Sequence, residues 1–209
     1  MRPALVIGVV LILLGVVVGC VAVFLAVRQP RQVSPITNQA APASVKPKPE
    51  EVAQYQVAPD LPKYINIPAI HMSQVRIFQL GLGKGNKIAT PDNIFDAGWY
   101  KASAKPGQDG AMFIYGHLSN WESNGSFYDL HKLKPGDTVT VTRGDNRQFT
   151  YKVTETKTYP ADSVPMDTVL APTVAGQQGL NLMTCAGKVI KGTNDFTERL
   201  VVYTSLVRS

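Results

Sequence analysis

The chain reads as a mainly β domain, a sandwich or barrel, behind an apolar N-terminal segment and a proline-rich tether. Three observations predict this. Short alternating or apolar runs recur from Tyr64 to Thr204, separated by glycine and proline turns. Helical periodicity is weak over the same stretch. Residues 4–27 form a run of 24 residues without a charge, long enough to cross a bilayer as one helix.

The apolar run is longer than a secretory core of about 7–15 residues. Val17-Val18-Gly19-Cys20 resembles a lipobox, but the apolar run continues to Val27. An uncleaved span over residues 1–27 is therefore expected, with Cys20 as an apolar filler. Arg2 on one side and Arg28 and Arg31 on the other leave its orientation undecided by charge. Residues 28–62 then hold seven of the fifteen prolines. Such a segment buries little surface, so residues 28–61 are expected to be an extended tether reaching up to ~100 Å.

Residues 62–209 form the globular part. Tyr64-Ile65-Asn66-Ile67 and the stretch from Gln74 to Leu80 alternate as strands do. Ala111 to Tyr115 is a buried-strand run. Lys134-Pro135-Gly136-Asp137 turns the chain into Thr138 to Thr142. Arg143-Gly144-Asp145-Asn146 is a hairpin turn before Gln148 to Thr156. Leu180 to Cys185 and Arg199 to Thr204 complete the set. Six to eight strands are expected, with short helices near residues 91–95 and 127–130.

The formal charge is +6, but residues 62–209 carry 16 Lys and Arg against 12 Asp and Glu, well interspersed. A nucleic-acid binder would gather its basic residues on one face, so this class is excluded. With no C-x-x-C and no Cys/His cluster, a structural zinc site has no support, and no acidic cluster points to calcium. Neither a metal nor another cofactor is expected. Gly81, Gly83 and Gly85 lack the G-x-G-x-x-G spacing and a following helix, so they read as turn residues rather than a phosphate loop. His71 and His131 read as surface residues. Trp99 and Trp121 read as core or barrel-rim residues.

Three groups of complementary chemistry lie at strand margins. Cys185 follows Leu180-Asn181-Leu182-Met183-Thr184 and precedes a turn-like Ala186-Gly187-Lys188. His117 follows Phe113-Ile114-Tyr115-Gly116. Arg199 begins the run Leu200-Val201-Val202-Tyr203. A free cysteine often merely packs, and a histidine near a strand end is often structural. Together, a thiol, an imidazole and a guanidinium make a nucleophilic site if their strands are neighbours.

At these residues the chain resembles the sortase family. Leu182-x-Thr184-Cys185 is similar to its L-x-T-C signature, and Tyr115-Gly116-His117 to the segment carrying its histidine. Arg199 lies fourteen residues beyond the cysteine, close to the family interval. Ile65-Asn66-Ile67-Pro68-Ala69-Ile70, Gly98-Trp99-Tyr100 through Pro106-Gly107, and Leu133-Lys134-Pro135-Gly136-Asp137 also match, so the likeness covers roughly residues 62–207.

The resemblance implies an eight-stranded β-barrel and transpeptidation at an L-P-x-T-G-like sorting motif. It implies Cys185 as nucleophile, His117 as general acid and base, and Arg199 as donor to the oxyanion or substrate backbone. Thr184 is expected to help shape that hole, and Tyr115 to line the substrate groove. The partners implied are sorting-signal proteins and an amine acceptor, a peptidoglycan precursor or a pilin lysine. The catalytic domain is expected outside the cell membrane, with a single pass and a cytoplasmic N-terminus. An N-terminal anchor, no second apolar span and no lid before the first strand resemble housekeeping members of classes A, E and F. Tyr115 resembles a tyrosine of class E. A hydrolytic cysteine peptidase on the same residues and a non-catalytic envelope-binding module are the competing readings.

Overall fold

Alternation along a strand sends successive side chains to opposite faces, and this decides how the domain is built. The computed structural model describes residues 43–193 and 195–207. The expected membrane span and the start of the tether lie outside them. The strands are β1 (Pro62–Ile67), β2 (Met72–Leu80), β3 (Ala97–Tyr100), β4 (Gly110–Gly116), β5 (Thr138–Arg143), β6 (Gln148–Pro160), β7 (Gln178–Val189) and β8 (Phe196–Leu206). Among the described residues these eight strands close into a barrel in the order β1-β2-β3-β4-β7-β8-β6-β5. The β2–β3 and β4–β7 pairs are parallel and the rest antiparallel.

One face of every strand fills the interior. Ile65, Ile77, Trp99, Ile114, Val141, Tyr151, Leu182 and Val202 belong to one buried cluster to which all eight strands contribute. Closure and filling go together, because a barrel this small has room for side chains and little else. A second cluster lies on the outer face. Phe113 and Tyr115 of β4, Met183 of β7, and Val201 and Tyr203 of β8 pack with Leu80 and Val169. Val169 belongs to the short helix α2 (Met166–Val169), which covers this face.

Three local expectations change. Residues 91–95 form a turn rather than a helix, because the Asn93 side chain accepts the Phe95 N–H at 3.1 Å and diverts it from a helical bond. The second expected helix is a 3₁₀ segment, Tyr128–Lys132. Strand β3 escaped the element reading because it is only four residues long; Trp99 anchors it in the interior and its indole N–H donates to the Ala104 carbonyl at 3.0 Å.

The described part of the tether is not an open chain. Helix α1 (Pro49–Gln54) starts with proline and carries Glu50 and Glu51 in its first turn, both favourable at a helix N-terminus. Tyr64 donates its hydroxyl proton to the Val52 carbonyl. Tyr55 donates to the Ile77 carbonyl at 2.6 Å and packs on Phe78, ring centroids 4.9 Å apart. Upstream, Ala43 exchanges backbone hydrogen bonds with the 92–94 turn: its N–H donates to Asp92 at 2.7 Å and its carbonyl accepts from Ile94 at 3.0 Å. The aromatic contacts supply the burial that composition alone did not forecast. Among the described residues no helix is long and apolar enough to cross a membrane.

His71 and His131 are exposed, as expected. Trp99 is core, whereas Trp121 stands 75% exposed at the rim of the cleft described next.

Candidate active site

The outer-facing parity of three adjacent strands builds the site. Tyr115 on β4 lies opposite Met183 on β7, and Cys185, two residues further along β7, lies opposite Arg199 on β8. All four share the outer face by the two-residue period. The parallel β4–β7 pairing brings the end of β4, and His117 just beyond it, level with the Cys185 end of β7. Strand ends far apart in sequence thus meet at one cleft.

Cys185 is free and half-buried. Its Sγ lies 2.9 Å from the Tyr115 hydroxyl oxygen. Arg199 donates through Nη1 to the carbonyls of Phe196 at 3.0 Å and Glu198 at 2.9 Å, and through Nη2 to Asp195 at 2.6 Å. His117 Nε2 lies 2.7 Å from the Pro91 carbonyl oxygen. A carbonyl can only accept, so Nε2 carries the proton and the neutral ring keeps its lone pair on Nδ1. The Tyr115 ring stands edge-on to the imidazole, centroids 6.3 Å apart and planes at 81°.

Two glycines place the histidine. A Cβ on Gly116 would come within 2.5 Å of the Phe127 ring. A Cβ on Gly125 would lie 2.7 Å from the His117 carbonyl carbon and closer still to its oxygen. The loop after β4 can close on His117 only because both positions lack side chains.

A cavity of about 860 Å³ runs past these groups, with Tyr115, His117, Cys185 and Arg199 in its lining. Ile88, Tyr100, Val164, Met166, Leu170 and Met183 give it an apolar wall. Residues 161–171 of that wall are tied down by Asn181 on the outer face of β7. Its amide donates to the carbonyls of Val169 at 2.7 Å and Ala171 at 2.9 Å.

Burial pushes the Cys185 thiol up from its ordinary value, against the pull of Arg199 and of the Tyr115 hydrogen bond; Asp195 adds to the rise. Burial pushes His117 down, partly opposed by its bond to Pro91. Burial, and then the neighbouring Cys185, raise Tyr115 well above the ordinary phenol. Burial works against the Arg199 charge, but Tyr115, Cys185 and Asp195 outweigh it and its pKa rises. The resting site therefore holds a neutral thiol, a neutral imidazole, a protonated phenol and a guanidinium. A nucleophile, a proton carrier and a fixed cation facing one cleft are the parts that acyl transfer through a covalent intermediate requires.

Cys185, His117, Arg199 and Tyr115 all reach the cleft. The Thr184 side chain does not. It has the opposite parity to Cys185, is 1% exposed, and its hydroxyl makes no hydrogen bond among the described residues. Sequence reasoning missed Asp195, although an acid four residues before a site arginine was there to be read. It also missed the Pro91 carbonyl, for which a backbone atom leaves no signal.

A family model described as a sortase domain matches residues 65–207. Among solved structures, sortase C1 from Streptococcus agalactiae matches with a TM-score of 0.54 and 25% identity, over 78% of each chain. Sortase C from Streptococcus pneumoniae gives 0.53 and 21%, over 85% of this chain and 81% of that one. A lid mutant of sortase A from Corynebacterium diphtheriae gives 0.53 and 23%, over 72% of each. These last two likenesses speak for the fold. Comparison with the curated proteins finds no match. The family match runs from within β1 to just past β8 and takes in every strand of the barrel on the way, so the chain belongs to the sortase family.

Proposed function

We propose that this cysteine transpeptidase cleaves an L-P-x-T-G-like sorting signal through a thioester on Cys185 and passes the acyl group to an amine. The observation that carries this reading is the register pairing of Cys185 with Arg199, at a cleft that also holds His117. The Cys185 thiolate attacks the carbonyl of the scissile peptide bond, and the oxygen takes up the negative charge. Arg199 supports that charge with its guanidinium hydrogens. His117, protonated on Nδ1, gives its proton to the leaving amine as the C–N bond breaks, leaving the thioester. In the second half the incoming amine attacks the thioester, Nδ1 takes its proton, and the thiolate leaves.

The apolar wall suits the leucine of such a motif. The acceptor is an amine of a peptidoglycan precursor or of a protein lysine. The uncharged run at residues 4–27 supports attachment to the cell membrane by a single pass; a cytoplasmic N-terminus and an outside barrel follow from a substrate that lies in the envelope. Mass spectrometry of Cys185 after incubation with a library of motif peptides tests the reading. A thioester adduct that an added amine resolves to a ligated product is expected, and Cys185→Ala should form neither. Acyl-enzyme that always goes to water, at any amine concentration, would make the chain a peptidase instead.

A further inference from the structure

We propose that Tyr115 is a catalytic residue, whose buried hydroxyl donates a hydrogen bond to the Cys185 sulfur and stabilises it as thiolate. The proposal rests on Cys185 being the nucleophile. It gives Tyr115 a role on the reacting atom, beyond lining the groove.

The geometry points to the sulfur. The Tyr115 hydroxyl oxygen lies 2.9 Å from Sγ, and among the described residues no other group hydrogen-bonds that atom. The other two candidates are occupied elsewhere. The Arg199 guanidinium aims three of its five N–H donors at Phe196, Glu198 and Asp195, and His117 aims Nε2 at Pro91; neither bonds the sulfur. Tyr115 stands between the thiol and the imidazole, edge-on to the latter. It is only 6% exposed, in one buried cluster with Phe113 and Met183, and its hydroxyl meets the Cys185 sulfur there.

The chemistry follows from which partner can donate. The phenol sits well above its ordinary range and stays protonated wherever the enzyme works. Against a neutral thiol the contact is a weak, two-way bond. Against a thiolate it becomes a charge-assisted bond from O–H to sulfur, roughly twice as strong. Tyr115 therefore favours ionisation of Cys185 against the burial that opposes it. In the thioester the sulfur carries no charge and the bond weakens. It returns as the thiolate leaves in the second half-reaction, where a better-stabilised leaving group departs faster. No proton passes through Tyr115; it remains a phenol throughout.

Besides Tyr115, the groups acting on the sulfur are Arg199 from β8 and Asp195 from the turn before it, and His117, Lys87, Tyr100, Glu122 and Asp162 line the same cleft. Tyr115→Phe leaves all of them in place. The measurement is the pH dependence of Cys185 alkylation by iodoacetamide in the full chain, read by mass spectrometry of the Cys185 peptide so that Cys20 does not interfere. In Tyr115→Phe the alkylation midpoint should move up by about one to two pH units. Single-turnover thioester formation near neutral pH should fall about tenfold, with the deficit closing as the pH rises. A fluorinated tyrosine at 115, a more acidic phenol of nearly the same shape, should move the midpoint down. Midpoints unmoved in both proteins, or a change confined to the KM for the sorting peptide, would overturn the proposal and leave Tyr115 a wall of the groove. Alkylation needs no peptide. If no motif peptide ever formed a thioester, the transpeptidase reading would fail while the midpoint still reported on Tyr115.

Discussion

Asp195 grips the Arg199 guanidinium at 2.6 Å from four residues earlier in the chain, just before the strand that pairs Arg199 with Cys185. The arginine is thereby held by a group of its own chain. Asp195 also faces the thiol and raises its pKa. Asp195→Asn should act in two ways, freeing the guanidinium for substrate and removing a negative charge from the sulfur's surroundings. The Cys185 alkylation midpoint should fall. The acylation rate at neutral pH should rise by about two- to fivefold, the modest scale set by a half-exposed pair. A midpoint that rises would contradict this account.

Arg199 makes three directed hydrogen bonds from one planar group, two to carbonyls and one to a carboxylate. An ammonium can carry the charge but cannot reproduce that fork. Arg199→Lys is therefore expected to lose nearly as much as Arg199→Ala, on the order of 10²–10³ in kcat/KM for a sorting peptide. Alkylation of Cys185 by a small reagent should suffer far less in the lysine variant, because the nearby positive charge survives. Equal losses in the two assays would mean that Arg199 serves the thiolate rather than the substrate.

Burial moves the two proton-active groups in opposite directions, Cys185 up from 9.0 and His117 down from 6.5. Catalysis needs the reverse pair, a thiolate and an imidazolium. That combination is a minority at every pH, and its share is flat between the two pKa values. Below the histidine value the thiolate is lost tenfold per unit while the imidazolium is already complete. Above the cysteine value the imidazolium is lost while the thiolate is complete. The pH profile of kcat/KM should be a broad plateau, falling on the acid side below 6.5 and on the alkaline side above 9.0. A narrow bell centred between closer limbs would show that burial does not set these values.

The residues that carry the chemistry were legible because they sit in strands. Cys185 and Arg199 stand at the margins of apolar runs, and glycine after Tyr115 marks the strand's end before His117. The parallel β4–β7 pairing that brings those margins together was not legible, since it depends on partners about seventy residues apart. Strand alternation puts the Thr184 side chain, one residue from Cys185, on the opposite face. Composition read residues 43–61 as free chain, because prolines dominate and few apolar residues remain. Two tyrosines, Tyr55 and Tyr64, overturn this by tying the α1 segment to strands β2 and β1 through backbone carbonyls. Such long-range bonds leave no periodic trace.

Gly125 is required by the backbone it touches rather than by its own conformation. A Cβ there would press on the carbonyl carbon of His117 at 2.7 Å and on its side chain at 2.8 Å. Gly125→Ala should cost about 1–3 kcal/mol of stability, the range for overpacking. It should also cut thioester formation more than tenfold by moving His117 off the Pro91 carbonyl. Gly83→Ala is the control. Its added Cβ would meet its nearest neighbours at 3.8 Å. Thermal unfolding and single-turnover kinetics of both variants separate the two outcomes, and equal behaviour would remove Gly125 from the account of the site.

Asn181 fixes the wall rather than the chemistry. Its amide nitrogen serves two carbonyls, Val169 and Ala171, at the end of helix α2, and it is fully buried. Asn181→Leu keeps the branched outline of the side chain and removes both donors. The two carbonyls then have no partner from β7, at a cost of about 1–3 kcal/mol each unless water reaches them. Letting water in means letting residues 161–171 lift from the outer face, which widens the apolar side of the cleft. The KM for an L-P-x-T-G-like peptide should rise several-fold while kcat and the Cys185 alkylation midpoint stay put, because Cys185, Tyr115 and Arg199 remain in register on β4, β7 and β8. A fall in kcat with KM unchanged would mean instead that the wall positions the nucleophile and not the peptide.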